Sequence, residues 1–255
     1  MFKILISLLI LCPLSAHAQV AADATATYAL YVLGLRMADG QARLVYSPSG
    51  YRMNVQMHTT GAAAVFVRGQ QDSEVEGGWR DLAPDPHQVS SSGVWNGDTH
   101  RLVISFASGA PEVTTLIPPD KKKREPIPHD MLRDAIDIQS GIAALVRQVA
   151  TTGSCERSAR TFDGRRLTRV TAHNDGEETL QPSSRSSFSG PAKRCTFDLR
   201  MVSGFEKDDD REQTGQTRHA TAWLARLTPD GPMLPVRIDM EARWVGEAQL
   251  VLVDK

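Results

Sequence analysis

The sequence predicts a mainly β protein in which a large antiparallel sheet packs on one amphipathic α-helix. Three observations predict it. Several segments alternate apolar and polar residues with period two, the pattern of strands with one face on a core. Asx-Gly dipeptides recur at Asp39-Gly40, Asn96-Gly97, Asp163-Gly164, Asp175-Gly176 and Asp230-Gly231; such pairs tolerate the positive φ of tight hairpin turns. A single stretch, residues 137–150, instead carries apolar residues at helical spacing.

At the N-terminus, residues 1–18 read as a signal peptide. Lys3 supplies the basic start, Ile4 to Leu11 the short apolar run, and Ala16-His17-Ala18 a small-x-small cleavage site. The run is shorter than the roughly 20 residues that span a bilayer, and no later window approaches that length. Cleavage is expected before Gln19, releasing residues 19–255 as one β-rich domain, soluble in the periplasm. Lipoprotein anchoring through Cys12 is the weaker reading, because Leu11 is large where that processing wants a small residue.

Formal net charge is −1, and loss of Lys3 with the leader makes it −2. That near-neutral balance provides no overall field to gather nucleic acid or anionic headgroups. Aromatic residues are only 6% of the chain, so the core must lean on Val, Leu, Ile, Ala and Met.

Along the chain, Tyr51, Met53, Val55 and Met57 share one face of a strand whose other face is Arg52, Asn54, Gln56 and His58. Further on, 117–130 holds four prolines and the run Lys121 to Arg124. It is expected to be an exposed linker between an N-terminal and a C-terminal β half. The helix follows. Ile138, Ile142, Leu145 or Val146, and Val149 recur at helical spacing, with Asp137 or Ser140 as N-cap and Gly153 beyond the end. About three turns are expected, with the apolar stripe on the sheet.

In the C-terminal half, Cys195, Phe197, Leu199 and Met201 alternate with polar residues. So do Val236, Ile238, Met240 and Ala242, and then Ala248, Leu250 and Leu252. The acidic run 206–218 lacks the spacing of a calcium loop and reads as a flexible hairpin connection.

Cys155 and Cys195 are the two cysteines beyond the leader. An even count in an oxidising compartment reads as a disulfide, since neither has a C-x-x-C partner or a histidine at ligand spacing. The bridge would tie the exit of the helix to the strand beginning at Cys195. Between them, Asp163-Gly164 is expected to make a two-residue hairpin turn, and Asp175-Gly176 to close the next hairpin. Arg165 and Arg166 flank the first turn. As strand neighbours they would point to opposite faces, one exposed and one paired to an acid. The alternative is a bidentate clamp on a phosphate or carboxylate.

No nucleophile elbow, zinc-protease helix, Walker loop or dinucleotide fingerprint is present, and the histidines His58, His87, His100, His129, His173 and His219 are isolated. No catalytic residue, cofactor or metal site is indicated.

The segments YVLGLRMADG, GSC with TFDGRR, CTFDLRMVSGF and PVRIDME, with the helix between them, resemble a family of exported bacterial proteins, domain of unknown function 3108. The resemblance covers roughly residues 25–253. Its most specific part is Cys155, Phe162 to Arg166, and Cys195. The family's D-P-L-S-like helix start is replaced here by Asp137-Ile138-Gln139-Ser140. The resemblance implies compartment and fold rather than chemistry. A second resemblance is architectural: a large curved antiparallel sheet, half-barrel or β-spiral, around one helix is similar to the periplasmic lipoprotein carriers. It implies a concave apolar face for an acyl chain or a partner's apolar segment. Met53, Val55, Met57, Leu199, Met201, Ile238 and Met240 are the candidate lining, with adaptable methionines that could equally be plain core. The leading expectation is an envelope protein that binds a lipid or other apolar ligand. The alternative is a ligand-free module that contacts an envelope protein partner; a hydrolase of an envelope polymer comes third.

Overall fold

The computed structural model describes residues 22–254 apart from 62, 229–230 and 243–245. The expected signal peptide, its cleavage before Gln19, Cys12, and Asp230 of the last Asx-Gly pair lie outside the described residues.

The first half of the chain forms strands β1 (Ala22–Val32), β2 (Leu35–Tyr46), β3 (Gly50–Thr59), β4 (Gly69–Arg80), β5 (Ala83–Trp95), β6 (Asp98–Ser105) and β7 (Glu112–Ile117), with a short helix α1 (Ala63–Phe66). Helices α2 (His129–Leu132) and α3 (Ile138–Thr152) come next. The second half is β8 (Arg157–Phe162), β9 (Leu167–Leu180), β10 (Gly190–Ser203), α4 (Arg211–Thr214), β11 (Arg218–Arg226), β12 (Met233–Ala242) and β13 (Gly246–Asp254). All thirteen strands belong to one unclosed antiparallel sheet, in the order β7-β6-β5-β4-β3-β2-β1-β13-β12-β11-β10-β9-β8. The halves meet where β1 pairs with β13, Tyr28 opposite Leu252 and Leu30 opposite Leu250.

This meander places alternate connections at opposite ends of the strands. One end, here the upper rim, carries the Leu33-Gly34 turn, residues 60–61 and 63–68, Asn96-Gly97, and the loops 163–166 and 204–217. The lower rim carries 47–49, Asp81-Leu82, 106–111, 227–228 and 231–232, and the ends of the connection 181–189.

Helix α3 touches β3, β4 and β5 of one half and β8 and β12 of the other, so the sheet curves around it. Its ends are fixed locally. Asp137 accepts from the Ser140 backbone N–H at 2.9 Å as N-cap. Gly153, at φ 70°, returns its N–H to the Val149 carbonyl at the C-terminus. The helix spans 15 residues, about four turns rather than three. Ala143, Ala144, Leu145, Val146 and Val149 are buried. Ile138, expected on the buried stripe, is 54% exposed, because the first turn stands at the upper rim, beside Gln71 and Ser91 near the ends of β4 and β5.

The turns correct the dipeptide reading. Asn96-Gly97 is a two-residue hairpin turn with both φ values positive. Asp39-Gly40, however, lies inside β2. Asp175-Gly176 lies inside β9, where both residues face Arg194 alone and Gly176 takes φ 79°; positive φ serves a bulge there. The β1–β2 and β4–β5 turns are made instead by Leu33-Gly34 and Asp81-Leu82, with Leu33 and Asp81 themselves at positive φ.

Residues 118–128 follow β7 with Lys121, Lys122 and Lys123 exposed, but the segment is also held to the loop after β10: the Glu125 N–H donates to the Phe205 carbonyl and the Lys207 N–H to the Lys123 carbonyl. The Arg124 side chain is 13% exposed, between Asp120 at 2.7 Å and Glu206 at 3.0 Å. Residues 206–218 connect the antiparallel pair β10 and β11 and contain the short helix α4, capped by Asp210.

Candidate functional site

The concave face carries a row of small residues at its centre. In β1 and β2, the side chains of Ala24, Ala26, Ala38 and Ala42, with Gly40 among them, point inward at period two. Register sets Ala26 beside Ala42 and Val55, and Tyr28 beside Gly40 and Met57. Facing them across the interior are Ile142 and Val146 of α3. Small side chains on the sheet cannot reach the helix, and the space left is an apolar cavity of about 210 Å³.

Its wall is completed by Leu30, Leu44 and Met53, and by Leu234, Ile238 and Leu250 from β12 and β13. Tyr28 contributes a hydroxyl, but that group donates to the Pro235 carbonyl at 3.0 Å, and burial pushes its pKa up, so it stays neutral. Asp39 and Gln41 pass the cavity through their backbone and send their side chains to the convex face, where Asp39 holds Arg36. Ala26, Ala38, Leu44, Met53 and Leu234 of the cavity wall are buried, whereas Ala24, Leu30, Val55, Met57 and Ile238 are only half-buried.

Of the residues singled out in the sequence, Met53, Val55, Met57 and Ile238 line this cavity. Leu199, Met201 and Met240 do not; they line a separate recess at the upper rim, with Arg166, Arg218 and Glu241. The small residues were missed, although the alternating alanines of ADATATY and ADGQA are visible in the sequence.

A polar chain runs beside the cavity. The Tyr51 hydroxyl donates to Ser140 Oγ at 2.7 Å, and Ser140 Oγ donates to Asp137. All three residues are buried. Burial pushes the Asp137 carboxyl above its ordinary value, and the two bonds from Ser140 offset this only in part. Gly77 makes room for Tyr51, since a Cβ there would stand 2.7 Å from the Tyr51 hydroxyl.

Cys155 and Cys195 are bonded, with Cα atoms 5.9 Å apart, and both are fully buried. The bridge joins the residue just past α3 to β10. Asp163 and Gly164 form a four-residue loop, 163–166, rather than a two-residue turn: the Asp163 carboxylate accepts from the backbone N–H groups of Arg165 and Arg166. Gly164 lies against Leu102 of β6, so this loop spans the gap between the outer strands. Arg165 and Arg166 are loop residues, and both are paired, Arg165 with Asp120 at 3.4 Å and Arg166 with Glu206 at 3.7 Å. Gly204 allows this approach, because a Cβ there would stand 2.3 Å from the Arg165 carbonyl oxygen. Among the described residues, no three His, Cys, Asp or Glu side chains are placed to hold a metal ion, and no helix is long and apolar enough to cross a membrane.

Comparison with solved structures finds a β-barrel-like protein of domain of unknown function DUF1849 from Brucella abortus. It is 13% identical, with a TM-score of 0.51 over 91% of this chain and 96% of that one. At that identity the likeness is one of fold. A search of the curated proteins finds no match. The model of the family described as protein of unknown function, DUF3108, matches residues 26–253. The curved sheet, its enclosed helix and the Cys155–Cys195 bridge are thus those of a DUF3108 protein, and the chain belongs to that family.

Proposed function

We propose that this chain is an exported envelope protein of the periplasm that holds one apolar or amphipathic ligand, of the class of a lipid acyl chain, in the cavity beneath β1 and β2. The observation that carries this reading is the cavity of about 210 Å³ between the small residues of the sheet and Ile142 and Val146. Interiors are normally close-packed. An engineered apolar cavity of about 150 Å³ stays dry and takes up benzene, so a space of this kind favours an apolar guest over water. The disulfide supports an oxidising compartment. Met53 and Met57 give the wall side chains that can adapt to guests of different shape.

The test is native mass spectrometry of protein prepared without detergent or reductant, paired with binding of an apolar fluorescent dye. The expected result is a bound mass lost on denaturation and saturable dye binding that a fatty acid displaces. Ala42→Phe, which fills the cavity from the sheet side, should abolish both while leaving the fold intact. A bare chain that binds no dye, or a filled variant that binds as well as the parent, overturns the reading in favour of a ligand-free interaction module.

A further inference from the structure

We propose that the recess between the β4–β5 turn and the start of β8 binds a small molecule with one carboxylate on a short apolar body, held by Arg157. The recess has a volume of about 270 Å³ and shares no residue with the cavity beneath β1 and β2. Pro84, Pro86, Phe106 and Ile136, all buried, line its floor.

One side chain in that lining carries a charge that nothing among the described residues balances. A guanidinium stays protonated in a protein, and burying it is costly unless another charge compensates. Arg157 lies in β8 just past the disulfide and is half-buried. Its Nη1 donates to the Leu82 carbonyl and to Gln148 Oε1 of α3, each at 3.1 Å. Both acceptors are neutral. Burial depresses the guanidinium, and no neighbouring carboxylate offsets this, in contrast to Arg124, where two acids do. The Nε–H is buried without a hydrogen-bond partner, and Nη2 makes no hydrogen bond among the described residues. Nε and Nη2 form the edge of a guanidinium that takes a carboxylate by two parallel bonds. In Arg157 that edge is uncommitted.

The other charges of the recess narrow the ligand. Arg80 and Asp85 also line it, but they bond each other at 3.0 Å. Asp134 lines it from an exposed position and opposes a second negative charge on the guest. Arg147 takes the carbonyl next to Leu82, that of Asp81, at 2.6 Å, and adds positive potential at the same turn; the Asp81 side chain itself is exposed. One charge is therefore matched and two are not, which favours a carboxylate over a phosphate dianion. The apolar floor favours a hydrocarbon body over a bare inorganic ion.

Titration calorimetry of the intact protein at pH 7 with benzoate tests this, with phosphate and chloride at matched ionic strength as comparators. Benzoate is expected to bind saturably, one per chain, and to raise the melting temperature, as a ligand of the native state must. Phosphate should bind more weakly and chloride not at all. Arg157→Gln should lower benzoate affinity about tenfold or more. Ser158→Glu, which adds a negative charge at an exposed position of the lining, should do the same while melting like the parent without ligand, so the test survives if the Arg157 variant fails to fold. Ala42→Phe should bind benzoate as the parent does, because it fills the other cavity. No saturable binding by the parent, or parental affinity in Ser158→Glu, overturns the proposal. Loss of benzoate binding in Ala42→Phe would place the ligand beneath β1 and β2 and overturn it too. Phosphate bound as tightly as benzoate overturns the assignment of a carboxylate.

Discussion

The Tyr51 hydroxyl and Ser140 Oγ lie 2.7 Å apart, which joins strand β3 to the first turn of the enclosed helix through a buried bond. Ser140 passes the interaction on to Asp137, so the N-cap of α3 is also the helix's polar anchor on the sheet.

Asp137 is the charge-sensitive group of that anchor. Its folded pKa is raised by burial, so the folded state holds this proton more tightly than the unfolded chain, whose carboxyl titrates near about 3.9. The sign follows from linkage: its contribution is most favourable below that value and is lost as pH rises through the raised folded pKa. An asparagine at this position would keep an oxygen for the cap and carry no charge. Thermal melts should therefore show Asp137→Asn gaining on the parent as pH goes from about 4 to 8. A difference that is flat with pH would mean that burial does not raise the Asp137 carboxyl above its unfolded value.

The disulfide closes a loop with a sequence separation of 40. Chain-entropy reasoning puts its contribution at about 4 kcal/mol as an upper figure. Replacing both Cys155 and Cys195 by alanine should lower the melting temperature without reductant by up to about 8–16 °C, and reductant should bring the parent down towards the variant. If parent and variant melt together in oxidising buffer, the staple contributes nothing.

Arg124 joins Asp120 and Glu206 across the outer strands. Burial alone would depress its guanidinium, but the two acids outweigh this and hold it protonated. Glu206 is lowered chiefly by its bond from Lys122, then by the charges of Lys122 and Arg124. Acids with depressed folded pKa values contribute stability above the unfolded carboxylate value and lose it as pH falls through the folded one. Arg124→Ala should melt below the parent at neutral pH, with the gap narrowing below about pH 4. A gap that persists in acid would assign the effect to lost packing instead.

The strands and the helix were legible because burial imposes a period. Tyr51 to His58 alternate in the sequence as they do in β3, and the helix could be bounded by Asp137 and Gly153. The turns were less legible. Asp-Gly supplies positive φ, and the chain uses that freedom for the β9 bulge at Gly176 as well as for turns, while nothing in the sequence marks Leu33 as a residue at φ 50°. In the charge run after β7, the pairing of Arg124 was not legible because its partner Glu206 lies 82 residues beyond it. The cavity was hidden for a related reason. Ala38, Gly40 and Ala42 look like ordinary small residues, and only the distance to Ile142 and Val146 makes them the wall of a space.

The seam between β1 and β13 has a consequence for how the molecule comes into being. Every other pairing in the sheet joins strands that are neighbours in sequence, but β1, paired on one edge with β2, must wait on its other edge for a partner more than two hundred residues downstream, with Tyr28 meeting Leu252. Until β13 arrives, each half of the sheet ends in an open edge, and an open edge invites pairing with other chains. Long-range pairing of this kind is also slow. A chain halted just short of β13 would therefore be two unjoined sheets with a helix between them, and during synthesis the molecule has most need of a chaperone in that interval.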